Sequence, residues 1–104
     1  MIPPEIDFHP AAVREARKAY RWYGRRSAAA ANRFQAALQA ALDQIAQTPD
    51  RWPAYLHGTR YRLLRRFPFI VVFRQLVDGL QVVAVAHARR RPGYWKRRKS
   101  QRTA

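Results

Sequence analysis

The sequence predicts an α+β fold in the order β-α-α-β-β-β, with a helical hairpin packed on a mostly antiparallel sheet. Two stretches in the first half carry apolar residues at helical spacing, and three runs in the second half are rich in valine and aromatic residues. A chain of 104 residues has room for one domain. We assign that domain to residues 1–98 and expect residues 99–104 to form a basic, frayed tail.

A short strand and an amphipathic helix are predicted at the start of the chain. Residues 6–8 fit a strand, and Pro10 suits the first position of a helix, where a missing N–H costs nothing. The apolar residues that follow recur at three- and four-residue spacing, on Val13, Ala16, Tyr20 and Tyr23. This helix is expected to end near Gly24.

A second helix is predicted to follow at once. Ser27 is a suitable N-cap, and Thr48-Pro49 ends the pattern. The apolar stripe between them consists of Ala31, Phe34, Leu38, Ala41, Leu42 and Ile45. Two helices joined this closely form an antiparallel hairpin.

Three strands are predicted in the second half, over residues 61–65, 67–75 and 80–86. Residues 67–73 are apolar on both faces, which indicates a central strand. Asp78-Gly79 predicts a hairpin with a type I′ turn, because that turn needs a positive φ at both central residues.

The charge of the chain is unevenly distributed. The formal net charge is +15, yet residues 1–57 hold 8 Lys+Arg and 5 Asp+Glu, whereas residues 58–104 hold 13 and 1. A hydrophobic fraction of 48% indicates that the chain is a folded domain and not a disordered polyelectrolyte. Because the positive charge is concentrated in its second half, we expect that half to face an anionic target or an acidic partner. The alternative is a basic face that is only solvated.

Several classes of function are excluded by what the sequence lacks. There is no cysteine for redox chemistry or thiolate metal sites, and the four glycines form no phosphate-binding loop. His9, His57 and His87 are too scattered for a metal site, so no cofactor or metal is expected. With no signal peptide and no apolar run long enough for a bilayer, we expect a cytoplasmic protein without membrane contact.

Residues 87–98 interleave guanidinium groups with two aromatic residues and an imidazole at the end of a strand. Such groups bind phosphates and stack on bases. Arg60 and Arg62 alternate along a strand and should share one sheet face, where they could add phosphate contacts. The alternative for Tyr94 and Trp95 is that they fold back and cover the sheet while the arginines stay solvated.

Short sequence motifs between about Phe8 and Arg98 resemble those of the RelE/ParE family of type II toxins. They are His9-Pro10-Ala11-Ala12 with Glu15 and Trp22-Tyr23, residues 31–34 and 45–49, Arg66-Phe67-Pro68-Phe69, Asp78, and Val85-Ala86-His87 with Arg89-Arg90. The family's fold has the same element order. The resemblance implies a growth-inhibiting toxin of the plasmid-stabilisation type, held inactive by a cognate antitoxin through which the complex binds DNA.

Two branches of this family have different targets. RelE-like members cleave mRNA on the ribosome, and here His87, Arg89 and Tyr94 would have to supply the catalysis. ParE-like members inhibit DNA gyrase without being nucleases. The position of a catalytic arginine in the nucleases matches Ile70, and no carboxylate follows Asp78, so the ParE-like, non-enzymatic branch is favoured.

A third hypothesis is a non-toxic basic module that binds nucleic acid. Under any of the three, the residues expected to contact the target or its phosphates are Arg60, Arg62, Arg74, Arg89, Arg91, Tyr94, Trp95 and Arg97.

Overall fold

A computed structural model of the chain describes residues 5–100, so most of the predicted tail lies outside the described residues. The order of elements is the predicted one, and the fold is α+β. The elements are β1 (Ile6–Phe8), α1 (Pro10–Gly24), α2 (Ala28–Gln47), β2 (Arg60–Leu63), β3 (Phe69–Leu76) and β4 (Gly79–His87). Two short 3-10 turns lie in the loop between α2 and β2.

Both helices begin where the sequence predicts. The imidazole Nδ1 of His9 accepts a hydrogen bond from the backbone N–H of Ala11 at 3.0 Å, which makes His9 the N-cap of α1. The hydroxyl of Ser27 accepts from the N–H of Ala30 at 2.9 Å and caps α2. Each cap satisfies a backbone donor that the first helical turn leaves unpaired.

The four strands form one sheet in the order β1-β4-β3-β2. The β2–β3 and β3–β4 pairs are antiparallel, whereas β1 runs parallel to β4. A register shift places Val72 opposite Ala84 and Phe73 opposite Val82, so Val83 is an extra residue in β4. This bulge turns Val83 and Ala84 to the same side of the sheet, where both pack in one cluster.

The hairpin between β3 and β4 differs from its prediction. Leu76 pairs with Gly79, so the central residues of the turn are Val77 and Asp78 and not Asp78-Gly79. Neither has a positive φ, so the expected type I′ turn is wrong. Gly79 is required for another reason, because a Cβ there would lie 2.6 Å from the backbone oxygen of Glu5.

The sheet has two differently covered faces. On the helix face, Val71, Phe73 and Val82 pack with Phe34 and Ile45 of α2 in the larger core cluster. On the opposite face, which we call the second face, lie Val72, Val83 and Ala84. The helical hairpin therefore covers one side of the sheet, and the residues after β4 cover the other.

Candidate functional site

The chain after β4 folds back over the second face in a series of turns. We call residues 88–98 the C-terminal segment. Its turns are closed by backbone hydrogen bonds from Arg90 to His87, from Lys96 to Gly93 and from Arg98 to Trp95. The segment thus brings the basic end of the chain onto the sheet instead of leaving it extended.

Trp95 is the anchor of this segment. Its side chain is 2% exposed and packs with Val72, Val83 and Ala84, while Tyr55 lies 5.4 Å away between ring centroids. A buried indole of this size contributes on the order of 2–3 kcal/mol through apolar burial. Of the two alternatives for Trp95, the structure shows the one in which it covers the sheet.

Glu15, on α1, holds the C-terminal segment to the helix. Its carboxylate accepts from the Tyr94 hydroxyl at 2.5 Å and from both terminal nitrogens of Arg98, at 2.8 and 3.1 Å. Arg90 donates to the same carboxylate at 3.3 Å. Arg90 and Arg98 also lie against the Tyr94 ring, at 3.7 and 5.0 Å from its centroid.

The same group closes an edge of the sheet. β1 ends at Phe8, so the edge of β4 that faces away from β3 has no paired strand beside Val83 and Val85 within residues 5–100. There the N–H of Val85 donates to Glu15 at 3.1 Å, and the carbonyl of Val83 accepts from Arg98 at 3.0 Å. The Glu15–Arg98 ion pair therefore takes the place of a strand at an edge that would otherwise be open to pairing.

We call Glu15 and its partners Tyr94, Arg90 and Arg98 the Glu15 group. The charges and burial of this group disfavour proton transfer by Tyr94. Burial raises the pKa of the Tyr94 phenol, and its hydrogen bond to Glu15 and the charge of that carboxylate raise it further. Burial alone would lower the pKa of Arg98, but the hydrogen bond and charge of Glu15 outweigh it and the pKa is raised. Near neutral pH Tyr94 therefore keeps its phenolic proton and Arg98 keeps its positive charge.

The three strand arginines of the predicted site lie on different sides of the sheet. Arg60 donates to the carbonyl of Trp52 at 2.6 Å, and Arg62 donates to Gln44 of α2 at 3.0 and 3.1 Å, so both face the helix side. Arg74 lies on the second face, where it donates to Gln81 at 2.9 Å and to the Arg98 carbonyl at 2.6 Å. Burial lowers the pKa of Arg74.

The remaining predicted residues also do not form one cluster. His87 points to the helix face, where its ring centroid lies 5.2 Å from that of Phe69. Its Nδ1 accepts from the backbone N–H of Arg89 at 3.1 Å. The side chains of Arg89, Arg91 and Arg97 are exposed along the C-terminal segment. Tyr94, Trp95 and Arg74 thus share the second face, whereas Arg60, Arg62 and His87 lie on the helix side and the remaining three arginines are exposed.

Two features of the structure are not predicted from the sequence. Glu15 enters the prediction only through the family resemblance, although it is the single acidic residue of α1, and its isolation among basic residues is a usable signal. The second is a groove between α2 and β2 with an alanine floor. The arginines that line it are Arg33, Arg62, Arg65 and Arg66.

Comparison with known proteins identifies the family. The family model for the ParE toxin of the type II toxin-antitoxin system parDE matches residues 6–92. The chain belongs to the ParE toxin family. Membership confirms the resemblance to RelE/ParE toxins and makes the chain the toxin of a type II module, which implies an antitoxin partner. No curated protein matches the sequence.

A solved structure shares the fold of this ParE family member. The chain resembles a protein from the chromosomal ParDE TA system of P. aeruginosa with a TM-score of 0.61 and 19% sequence identity. The match covers 81% of this chain and 95% of the other. Within residues 5–100, none of the helices is both long and apolar enough to cross a bilayer, and no three His, Asp or Glu residues are grouped as metal ligands.

Proposed function

We propose that this ParE family member inhibits growth by binding DNA gyrase in the cytoplasm, without cleaving RNA, as ParE-like toxins do. The supporting observation is that apolar side chains fill much of the second face. Trp95 fills its centre, and Ile70, at the position where nuclease relatives carry an arginine, packs against that cluster. Arg74 lies on the same face, but its guanidinium donates to Gln81 and to the Arg98 carbonyl, so it is committed to holding the C-terminal segment and not to a pentavalent phosphorus.

The residues that a ribonuclease mechanism would use are committed elsewhere. The Tyr94 hydroxyl donates to Glu15 and its pKa is raised, so it cannot serve as a base near neutral pH. One nitrogen of His87 is occupied by the N–H of Arg89, and Arg74 is held by Gln81 and the C-terminal segment. These contacts favour binding over catalysis.

The antitoxin partner of this toxin should be acidic where it meets the arginines. A segment that folds on binding could place an apolar helix beside the sheet and neutralise part of the +15 charge. DNA would then be bound by the complex through the antitoxin. We treat residues 1–98 as the toxin domain that such a complex would contain.

A pair of assays on the purified chain tests the target. We expect the full-length protein to inhibit supercoiling by DNA gyrase and to leave mRNA intact on translating ribosomes. The matched control is the same protein after incubation with its antitoxin, which should restore supercoiling. Cleaved mRNA with unaffected gyrase would replace the proposal with the RelE-like function, and inactivity in both assays together with normal growth on induction would favour the non-toxic basic module.

A further inference from the structure

A cavity of ≈ 340 Å³ lies between α1 and the neighbouring ends of β3 and β4. We call it the α1 pocket. Its walls are mostly apolar and include Trp22, Tyr23, Phe69 and Val85. Its volume is at the lower end of the range for ligand sites, which is enough for one large side chain.

The rim of the α1 pocket carries three groups that donate hydrogen bonds. Lys18 is exposed and has no ion-pair partner within residues 5–100. Because Nδ1 of His87 accepts from the backbone N–H of Arg89, the proton of the neutral ring lies on Nε2, which is therefore a donor. Arg90, with 54% of its side chain exposed, has donors beyond the one that reaches Glu15.

The one carboxylate in the lining does not cancel this character. Glu15 already accepts five hydrogen bonds, from Val85, Tyr94, Arg90 and twice from Arg98. Its charge is paired at 2.8 Å with Arg98, whose side chain is 17% exposed. The rim therefore has a positive net charge and suits an anionic ligand.

We propose that the α1 pocket anchors a protein partner that presents a large apolar side chain flanked by carboxylates. The apolar side chain enters between Trp22 and Phe69, and the carboxylates meet Lys18 and Arg90 at the rim. A nucleotide fits less well, because the polar edge of a base would be left without partners against the apolar walls. The proposal does not depend on gyrase being the target.

Peptide titration followed by NMR of the full-length, ¹⁵N-labelled chain tests the pocket. The probe is the blocked tripeptide Ac-Glu-Phe-Glu-NH₂, and we expect saturable shifts at Lys18, Ala19, His87 and the Trp22 indole N–H. Ac-Glu-Gly-Glu-NH₂ lacks the apolar anchor, and its affinity should be lower by at least about tenfold. Ac-Lys-Phe-Lys-NH₂ reverses the charge and should give no saturable shifts at these positions.

Two variants with the same change of charge distinguish the pocket from a general basic surface. Lys18→Glu alters the rim, whereas Arg17→Glu alters the adjacent exposed residue, which lines the groove between the helices instead. We expect Lys18→Glu to weaken peptide binding about tenfold and Arg17→Glu to change it less than about twofold. Equal losses of peptide affinity in the two variants, or chemical-shift changes centred outside the α1 pocket, would overturn the proposal. So would tighter binding of uridine 5′-monophosphate in the same pocket, because the site would then be one for nucleotides.

Discussion

At the scale of single residues, Glu15 joins parts of the chain that are far apart in sequence. Its carboxylate bonds α1 to β4 through Val85 and to the C-terminal segment through Tyr94 and Arg98. The group is mostly buried, with 14% of the Glu15 side chain exposed. Removing one partner from such a group leaves buried charges and donors without compensation, which costs more than the pair contributes.

The variant Glu15→Gln should be clearly destabilised. An amide presents an NH₂ group to a site where all the partners are donors, so at least one of them loses its acceptor. We expect a loss of about 2–3 kcal/mol in the free energy of unfolding, measured by urea denaturation. Asp43→Asn is the matched control, because Asp43 lies exposed on α2 and within residues 5–100 accepts a side-chain hydrogen bond only from Gln39.

The control should change the stability by less than about 0.5 kcal/mol. The indole N–H resonance of Trp95 in the ¹H–¹⁵N NMR spectrum gives a second readout for Glu15→Gln, because loosening of the C-terminal segment exposes that indole. Equal stability of the two variants would show that the Glu15 group contributes no more than a surface contact.

At the scale of elements, the start of α1 depends on a neutral histidine. Nδ1 of His9 can accept from the N–H of Ala11 only while it carries no proton. Burial lowers the pKa of His9 from its ordinary value of 6.5, and the charges of Arg98, Arg74 and Arg14 lower it further, against an opposing effect of Glu15. The C-terminal segment thus influences the cap of a helix through the charge of Arg98.

Because of this cap, the free energy of unfolding should decrease when the solution is acidified. The unfolded chain takes up the proton near pH 6.5, whereas the folded chain resists it, so His9 contributes stability that is present above pH 6.5 and is lost as the pH falls through the lower folded pKa. We expect urea denaturation to show lower stability at about pH 5.5 than at about pH 7.5.

The variant His9→Asn isolates this effect. Asparagine can accept the same hydrogen bond as an N-cap but does not titrate. His57 and His87 remain in the variant, so their contributions are the same in both proteins. The loss of stability on acidification should be smaller in His9→Asn than in the parent chain. An unchanged pH dependence would place its origin in other groups.

Local patterns were sufficient to predict the helices and the approximate strands. Apolar spacing and the end signals Ser27 and Pro49 are properties of neighbouring residues, and they predicted α2 within one residue. The predicted strand over residues 61–65 extends beyond β2, which ends at Leu63. The reason is that the N–H of Leu64 donates to the carbonyl of Phe69 across a turn in which Arg66 has a φ of 68°. Such a turn has no strong sequence signal, since left-handed conformations are uncommon for arginine.

The site could not be predicted in the same way, because it depends on contacts between distant residues. Glu15 and Tyr94 are 79 positions apart, and no local pattern pairs them. Whether Trp95 binds a target or covers the sheet depends on where the C-terminal segment turns, and in the folded chain that segment is held by contacts such as the Glu15–Arg98 pair, 83 positions apart. Arg60 and Arg74 lie on opposite faces of the sheet, and this can be seen only once the pairing of β2 with β3 is known.

At the scale of the whole molecule, most of the positive charge has no internal counter-charge. The chain holds 21 Lys+Arg against 6 Asp+Glu, and one of those acidic residues, Glu15, is shared by Arg90 and Arg98. The molecule measures 40 × 32 × 28 Å, which is similar to the Debye length of about 30 Å at an ionic strength of about 0.01 M. At low salt, therefore, almost every arginine repels almost every other.

The folded chain should consequently become more stable as salt is added. Raising NaCl from about 0.01 M to about 0.3 M shortens the Debye length to below about 10 Å and screens the repulsion between exposed arginines. The Glu15–Arg98 pair is mostly buried and is screened much less, so the net change should be a gain of about 1 kcal/mol. Urea denaturation at each salt concentration measures this, because urea is uncharged and adds no screening. A fall in stability with salt would mean that attraction within the chain, and not repulsion, dominates its electrostatics.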